Sequence, residues 1–258
     1  MCLLAVAFHA HPESPLIVAA NRDEVLLRPS APMTILDPGP PRIVGGRDLL
    51  AGGTWLAINE NGLIAGLTNL PSAGGRDPRR RSRGELPLAL ARHTTARGAA
   101  EAFSALFSPR DYNPAWLVVG DRNALFYIDM TGDSVQVVEL APGLHVLENR
   151  PLNATSSKAA LVHRRFSAAM SHRGDELIAS LERMLASHDI PVEASEVGRP
   201  PETLAACVHA GAYGTRSSSI IVVPPGSSPP RIRFADGPPC TTPFAELDPS
   251  MLIRKVSL

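Results

Sequence analysis

The order of its apolar runs predicts an α+β protein: strands, helices, strands, helices, then strands again. Three observations lead there. Paired apolar runs joined by turn residues open the chain, blocks of helical periodicity occupy its middle, and strand-like runs return near its end. Strands so far apart in sequence must meet in shared sheets, with helices as outer layers, rather than form alternating βαβ units.

Residues 2–8 and 15–20 are short apolar runs separated by His9-Ala10-His11-Pro12-Glu13-Ser14, a hairpin pattern. Residues 29–53 are rich in Pro and Gly and are expected to form an irregular surface loop. A second strand pair, 55–58 and 63–67, flanks Asn59-Glu60-Asn61-Gly62, whose Asn-Gly step tolerates positive φ. Residues 71–81, with Gly74-Gly75, Pro78 and Arg79-Arg80-Arg81, read as a solvated loop. Ser82 followed by Glu85 suggests a capping box for a helix to about Arg92, although Pro87 falls inside it. A second helix is expected over 98–107. Strands follow at 116–119, 124–128, 135–139 and 143–147, and helices at 156–171 and 175–187. Strands at 217–223 and 232–234 complete the pattern.

The chain's 258 residues suit one large domain, expected here to span 1–258. Lys plus Arg and Asp plus Glu are both 25, so net charge gives no reason to expect nucleic acid or an anionic membrane as partner. No stretch reaches 18 apolar residues, so no integral membrane segment is expected. The N-terminus lacks the basic region and long apolar core of a signal peptide. Its three cysteines, an odd count, argue against a fully paired disulfide framework, and a cytoplasmic location is the expectation.

Cys2 carries the sharpest chemical signal. A small second residue favours loss of Met1, which would leave one residue bearing both a thiol and a free α-amine, a nucleophile with its own base. The plainer reading is that Cys2 simply begins an apolar strand. Asn21-Arg22-Asp23-Glu24 follows the second strand, where Asp23 could orient the amine or thiol and Arg22 could anchor a carboxylate. Asn69 and Asn149 each end a strand, and a side-chain amide suits an oxyanion hole. Arg216 precedes an apolar strand and needs an anionic partner, either Asp23 or a substrate carboxylate.

Met1-Cys2, Asn21-Arg22-Asp23-Glu24, Gly52-Gly53-Thr54-Trp55-Leu56-Ala57, Thr68-Asn69 and Tyr213-Gly214-Thr215-Arg216 together resemble the NRDE family, whose animal relative is called transport and Golgi organisation protein 2. The resemblance implies a four-layer αββα sandwich of the N-terminal nucleophile hydrolase type. Residues 59–69 resemble the central hairpin of the choloylglycine and penicillin V acylase family. That likeness implies catalytic roles for Cys2, Asp23, Asn69, Asn149 and Arg216; Arg22, Asn21 and Trp55 are the candidate substrate-binding residues. One departure stands out: the acylases carry an Arg three residues before the Asp, where this chain has Ala20. Arg22 is nearby but is expected on the opposite face of a regular strand.

The expected activity is hydrolysis of a non-peptide amide bond in a small-molecule substrate, by Cys2 after removal of Met1, with no cofactor required. The alternative is a non-catalytic carrier of haem or lipid on the same fold. The histidines are scattered and show no HxxxH or HExxH pair, so no metal site is expected.

Overall fold

The computed structural model describes residues 2–70, 75–191 and 200–253. Met1 and residues 71–74 of the expected loop lie outside that set. In chain order the first strands are β1 (Leu3–His11), β2 (Ser14–Val25), β3 (Ser30–Asp37), β4 (Ile43–Asp48), β5 (Leu56–Asn59) and β6 (Ile64–Asn69). Helices α1 (Glu85–Ala91) and α2 (Ala96–Leu106) follow, then β7 (Ala115–Gly120), β8 (Leu125–Asp129), β9 (Gln136–Glu139) and β10 (Gly143–Leu147). Helices α3 (Ser157–Ala169) and α4 (Gly174–Leu185) precede β11 (His209–Ala210), β12 (Tyr213–Val223), β13 (Arg231–Ala235) and β14 (Ala245–Glu246).

The chain forms two compact units, each threaded by several stretches of sequence. The first comprises 1–28, 142–222 and 231–247; the second comprises 29–141, 223–230 and 248–258. The first unit holds a seven-stranded sheet in the order β10-β1-β2-β12-β13-β14, with β11 attached to β12. The β1–β10, β1–β2, β12–β13 and β13–β14 pairings are antiparallel. Leu3, Ala5 and Ala7 of β1, with Ile17 and Ala19 of β2, pack against Val162 and Phe166 of α3 and Leu181 of α4. Their alternate neighbours Leu4, Val6, Phe8, Val18 and Ala20 are also buried, on the other face. Burial on both faces is why these strands read as continuous apolar runs.

The second unit holds a seven-stranded sheet running β3 to β9 in sequence order. Ala57, Ala65, Leu67 and Leu117 pack there against Leu86 and Leu90 of α1 and Phe103 of α2. Asn59 shapes the β5–β6 turn: its Oδ1 accepts from Asn61 N (2.9 Å) and Leu63 N (3.1 Å), and Gly62 has φ of 82°. Its Nδ2 donates to Ala91 O and His93 O, both at 2.8 Å, tying the turn to the end of α1.

Two expectations need correction. Residues 29–53 are not an irregular loop but carry the β3–β4 pair. β3 is an edge strand, and Pro32 falls within a register shift between Ala31 and Met33, where no ladder hydrogen bond is demanded of it. The helix expected from Ser82 begins at Glu85 with Gly84 as N-cap and no side-chain cap. Glu85 pairs with Arg81 at 2.7 Å instead of closing a capping box. The later start places Pro87 within the first turn, where a missing N–H costs nothing.

Candidate active site

Cys2 stands one residue before β1 and is 7% exposed. The β1–β2 register pairs Leu4 with Ala20 and Leu3 with Asn21; one further step sets Cys2 across from Arg22. Since Leu3, Ala5 and Ala7 face the helices, alternation turns Cys2 to the other face, together with Ala20 and Arg22. The expected opposition between Ala20 and Arg22 is therefore corrected: residues two apart on a strand share a face. Arg22 is buried and its guanidinium lies 3.7 Å from Glu24 on the same face.

The Asp23 backbone N–H favours the Cys2 thiolate. Burial pushes the Cys2 thiol above its ordinary pKa, and the Asp23 carboxylate adds to the rise. The Arg22 guanidinium and the Asp23 N–H oppose it without reversing it.

The Asp23 side chain is occupied elsewhere. Thr215 Oγ1 donates to its Oδ1 at 2.6 Å, and Lys158 Nζ lies 3.6 Å from its Oδ2, with both charged side chains at most 1% exposed. Tyr213 Oη donates to Asp23 O at 3.1 Å. Lys158 also donates to Thr203 O at 3.3 Å, and Thr215 Oγ1 accepts from Val208 N at 2.8 Å. Burial pushes the Asp23 carboxyl upward, while the neighbouring Lys158 charge and the Thr215 hydroxyl pull it down.

Arg216, for which Asp23 or a substrate carboxylate was the expected partner, has Asp236 at 3.5 Å as an ion partner. The cation beside Asp23 is Lys158, brought in by the first turn of α3, whose N-cap Ser156 accepts from Ala159 N. Sequence reasoning missed Lys158, although two signals mark it. A cation in the first turn opposes the helix dipole, and Lys158 falls on the buried stripe with Val162, Phe166 and Ala169.

Asn21 is fully buried, and its amide is spent on structure rather than on a substrate. Nδ2 donates to Leu185 O (2.9 Å) and Ala206 O (2.8 Å), while Oδ1 accepts from Ser218 Oγ (2.6 Å). These bonds engage both ends of the side chain that was expected to bind substrate. Asn149 is 6% exposed and belongs to the same unit as Cys2. It follows β10, which pairs Leu147 with Leu4, so the chain there runs toward the end of β1 that carries Cys2. Asn69 and Trp55 belong to the second unit. Asn69 ends β6 opposite Ala115, and Trp55 packs against that unit's own core.

The histidines are not all scattered. His188, Cys207, His209 and Cys240 place one ligand atom each within 4.8 Å of one another, correcting the expectation of no metal-ligating cluster. They come from three separate segments, so no local spacing announces them.

Residues 1–228 match the family model described as Transport and Golgi organisation 2. The chain belongs to that family. It is 31% identical to the Transport and Golgi organization protein 2 homolog of Bos taurus, over 86% of this chain and 88% of that protein. The Homo sapiens homolog is 30% identical with the same coverage. Among solved structures, a mutant conjugated bile acid hydrolase from Clostridium perfringens aligns with a TM-score of 0.54 at 10% identity, covering 96% of this chain and 97% of that one. A Caenorhabditis elegans N-acylethanolamine-hydrolyzing acid amidase ortholog aligns with a TM-score of 0.52 at 14% identity, over 86% and 92% of the two chains. The family's fold in this chain is thus that of the N-terminal nucleophile hydrolases, as expected. No described helix is long and apolar enough to cross a membrane.

Proposed function

We propose that the chain hydrolyses a non-peptide amide bond with Cys2 as nucleophile once Met1 has been removed. The observation that carries this reading is the setting of Cys2: buried just before β1 and across from Arg22, whose guanidinium favours its thiolate. The solved structures of similar fold include proteins named as a bile acid hydrolase and an acid amidase, which supports amide chemistry.

The freed α-amine takes the thiol proton, and the sulfur attacks the carbonyl carbon to give a tetrahedral oxyanion. Asn149, from the same unit, is the proposed amide donor to that oxyanion. The α-ammonium returns the proton to the leaving nitrogen as the C–N bond breaks, leaving a thioester. Water, deprotonated by the same amine, attacks the thioester and releases the acid. Asp23 holds the strand end through its backbone and its bond to Thr215, and the Arg22 guanidinium, on the same strand face as Cys2, adds positive charge beside the sulfur. Arg216 has no role in this scheme, because Asp236 engages it.

The test is intact-mass spectrometry of the purified protein incubated with a panel of acyl amides and activated esters. The expected result is a Met1-free chain carrying an acyl adduct on Cys2 that decays with release of free acid, and no adduct in Cys2→Ala. Full retention of Met1, or no adduct across the panel on the processed chain, overturns the proposal.

A further inference from the structure

His188, Cys207, His209 and Cys240 lie outside the site described above and form a compact set of their own. His188 follows α4, Cys207 and His209 flank the entry to β11, and Cys240 lies in the connection from β13 to β14. The two sulfurs are 3.7 Å apart. Two thiolates on one tetrahedral zinc, with bonds of about 2.3 Å, stand about 3.8 Å apart. His209 Nε2 lies 3.2 Å from Cys240 Sγ, and the rings of His188 and His209 meet edge to face with centroids 4.9 Å apart.

Beyond the ligand atoms, the supporting contacts also suit a metal. His188 Nδ1 contacts Cys207 O at 3.0 Å, which assigns the proton to Nδ1 and leaves Nε2 as the lone-pair nitrogen. A ligating histidine is commonly fixed in this way by a backbone carbonyl. Cys207 N donates to Ser187 O at 2.9 Å, so the segments bearing His188 and Cys207 are already fastened together. Cys240 sits in a tight turn whose Thr241 and Thr242 N–H groups both donate to Pro238 O. The ligands are thus held before any ion arrives.

We propose that these four side chains bind one zinc ion in a closed, tetrahedral, structural site. Two thiolates and two imidazoles match zinc's preference, and four protein ligands leave no open position for a reacting water. The ion would pin the β13–β14 connection to the segment around Cys207. That segment also supports the Asp23 region, since Ala206 O accepts from Asn21 and Val208 N donates to Thr215 Oγ1. The inference stands apart from the hydrolase reading, because it needs no turnover.

The experiment uses the full chain, purified under reducing conditions, stripped with a chelator, reloaded with zinc and dialysed. One zinc retained per chain, with a raised melting temperature relative to the stripped protein, is the expected result. Cys240→Ser and His209→Ala replace residues at the surface and should leave a folded chain. Each should weaken zinc binding about 100-fold or more in a chelator competition and abolish the melting shift. Cobalt in place of zinc should give thiolate-to-metal absorption in the wild type that both variants lose. No zinc retained after reloading, or equal retention in the wild type and both variants, overturns the proposal. So does a stable Cys207–Cys240 disulfide, seen as the loss of two hydrogen masses, if the reduced protein then takes up no metal.

Discussion

Lys158 Nζ lies 3.6 Å from the Asp23 carboxylate in a space sealed from solvent. A charge so buried is tolerated because its partner is there, and removing either one strands the other. The pair joins the first turn of α3 to the end of β2, just beneath the strand end that carries Cys2.

Asp23→Asn should therefore destabilise the fold by about 3–5 kcal/mol, even though it preserves shape. Lys158→Met should cost somewhat less, because it removes the longer charge and fills the space. The double substitution Asp23→Asn with Lys158→Met should cost less than the sum of the two. Urea unfolding of the three variants checks this. Additive losses would show that the two groups do not act as a pair.

The Cys2 thiol gives a pH prediction. Burial holds its folded-state pKa above the ordinary thiol value, so little thiolate exists at pH 7 while Met1 is in place. In the reduced, zinc-stripped chain iodoacetamide should label Cys2 in that form more slowly than exposed Cys240, with a rate that climbs through the alkaline range. The same raised value means the folded chain keeps a proton that the unfolded chain releases. The thiol's contribution to stability is thus complete below about pH 8.5 and lost as pH rises further. Cys2→Ala should flatten that part of the stability profile. Release of Met1 should speed labelling at pH 7, since the freed amine can accept the thiol proton.

The Arg22 guanidinium is one of the positive charges that favour the Cys2 thiolate, after the N-terminal ammonium. Arg22→Met keeps the buried aliphatic length and removes the charge, so it should slow Cys2 labelling roughly two- to fivefold at a given pH. The urea midpoint should move little. A labelling rate equal to that of the wild type would show that the guanidinium does not act on the sulfur.

Asn21 should behave in the opposite way. Asn21→Ala takes the amide donor from two buried carbonyls, Leu185 O and Ala206 O, and leaves the Ser218 hydroxyl with only its longer contact to Ala20 O. It should cost about 3 kcal/mol in unfolding free energy, while Ser218→Ala should cost about 1 kcal/mol. Any effect on Cys2 labelling should vanish once the variants are compared at equal folded fraction.

Much of the architecture could be read from the chain because its signals were local. The Asn59–Gly62 turn, the helical periodicity of 156–171 and the apolar runs of β1 and β2 each announce themselves within a few residues. The β3–β4 pair was hidden because prolines that disqualify a central strand are harmless at an edge with bulges. Cys2 and the Asn21–Glu24 run were found by position and residue type. The partner of Asp23 was not, since Lys158 reaches it across a sequence separation that no motif spans. His188, Cys207, His209 and Cys240 were missed for the same reason: a ligand set announces itself by spacing only when its members share one element. The side on which Arg22 lies was a different kind of error, a matter of strand parity already decidable from the sequence.

The Asn21-Arg22-Asp23-Glu24 run is one stretch of strand with two audiences. Its first and third members are tied into the helical side, to Leu185, Ala206, Thr215 and Lys158, and its second and fourth turn with Cys2 to the other side. A library that randomises these four codons should separate into two phenotypes. Changes at Asn21 and Asp23 should lower the yield of folded protein, and a chaperone or lower growth temperature should rescue some of them. Changes at Arg22 and Glu24 should leave abundance intact and alter only what the sulfur does, a defect that no folding aid can repair.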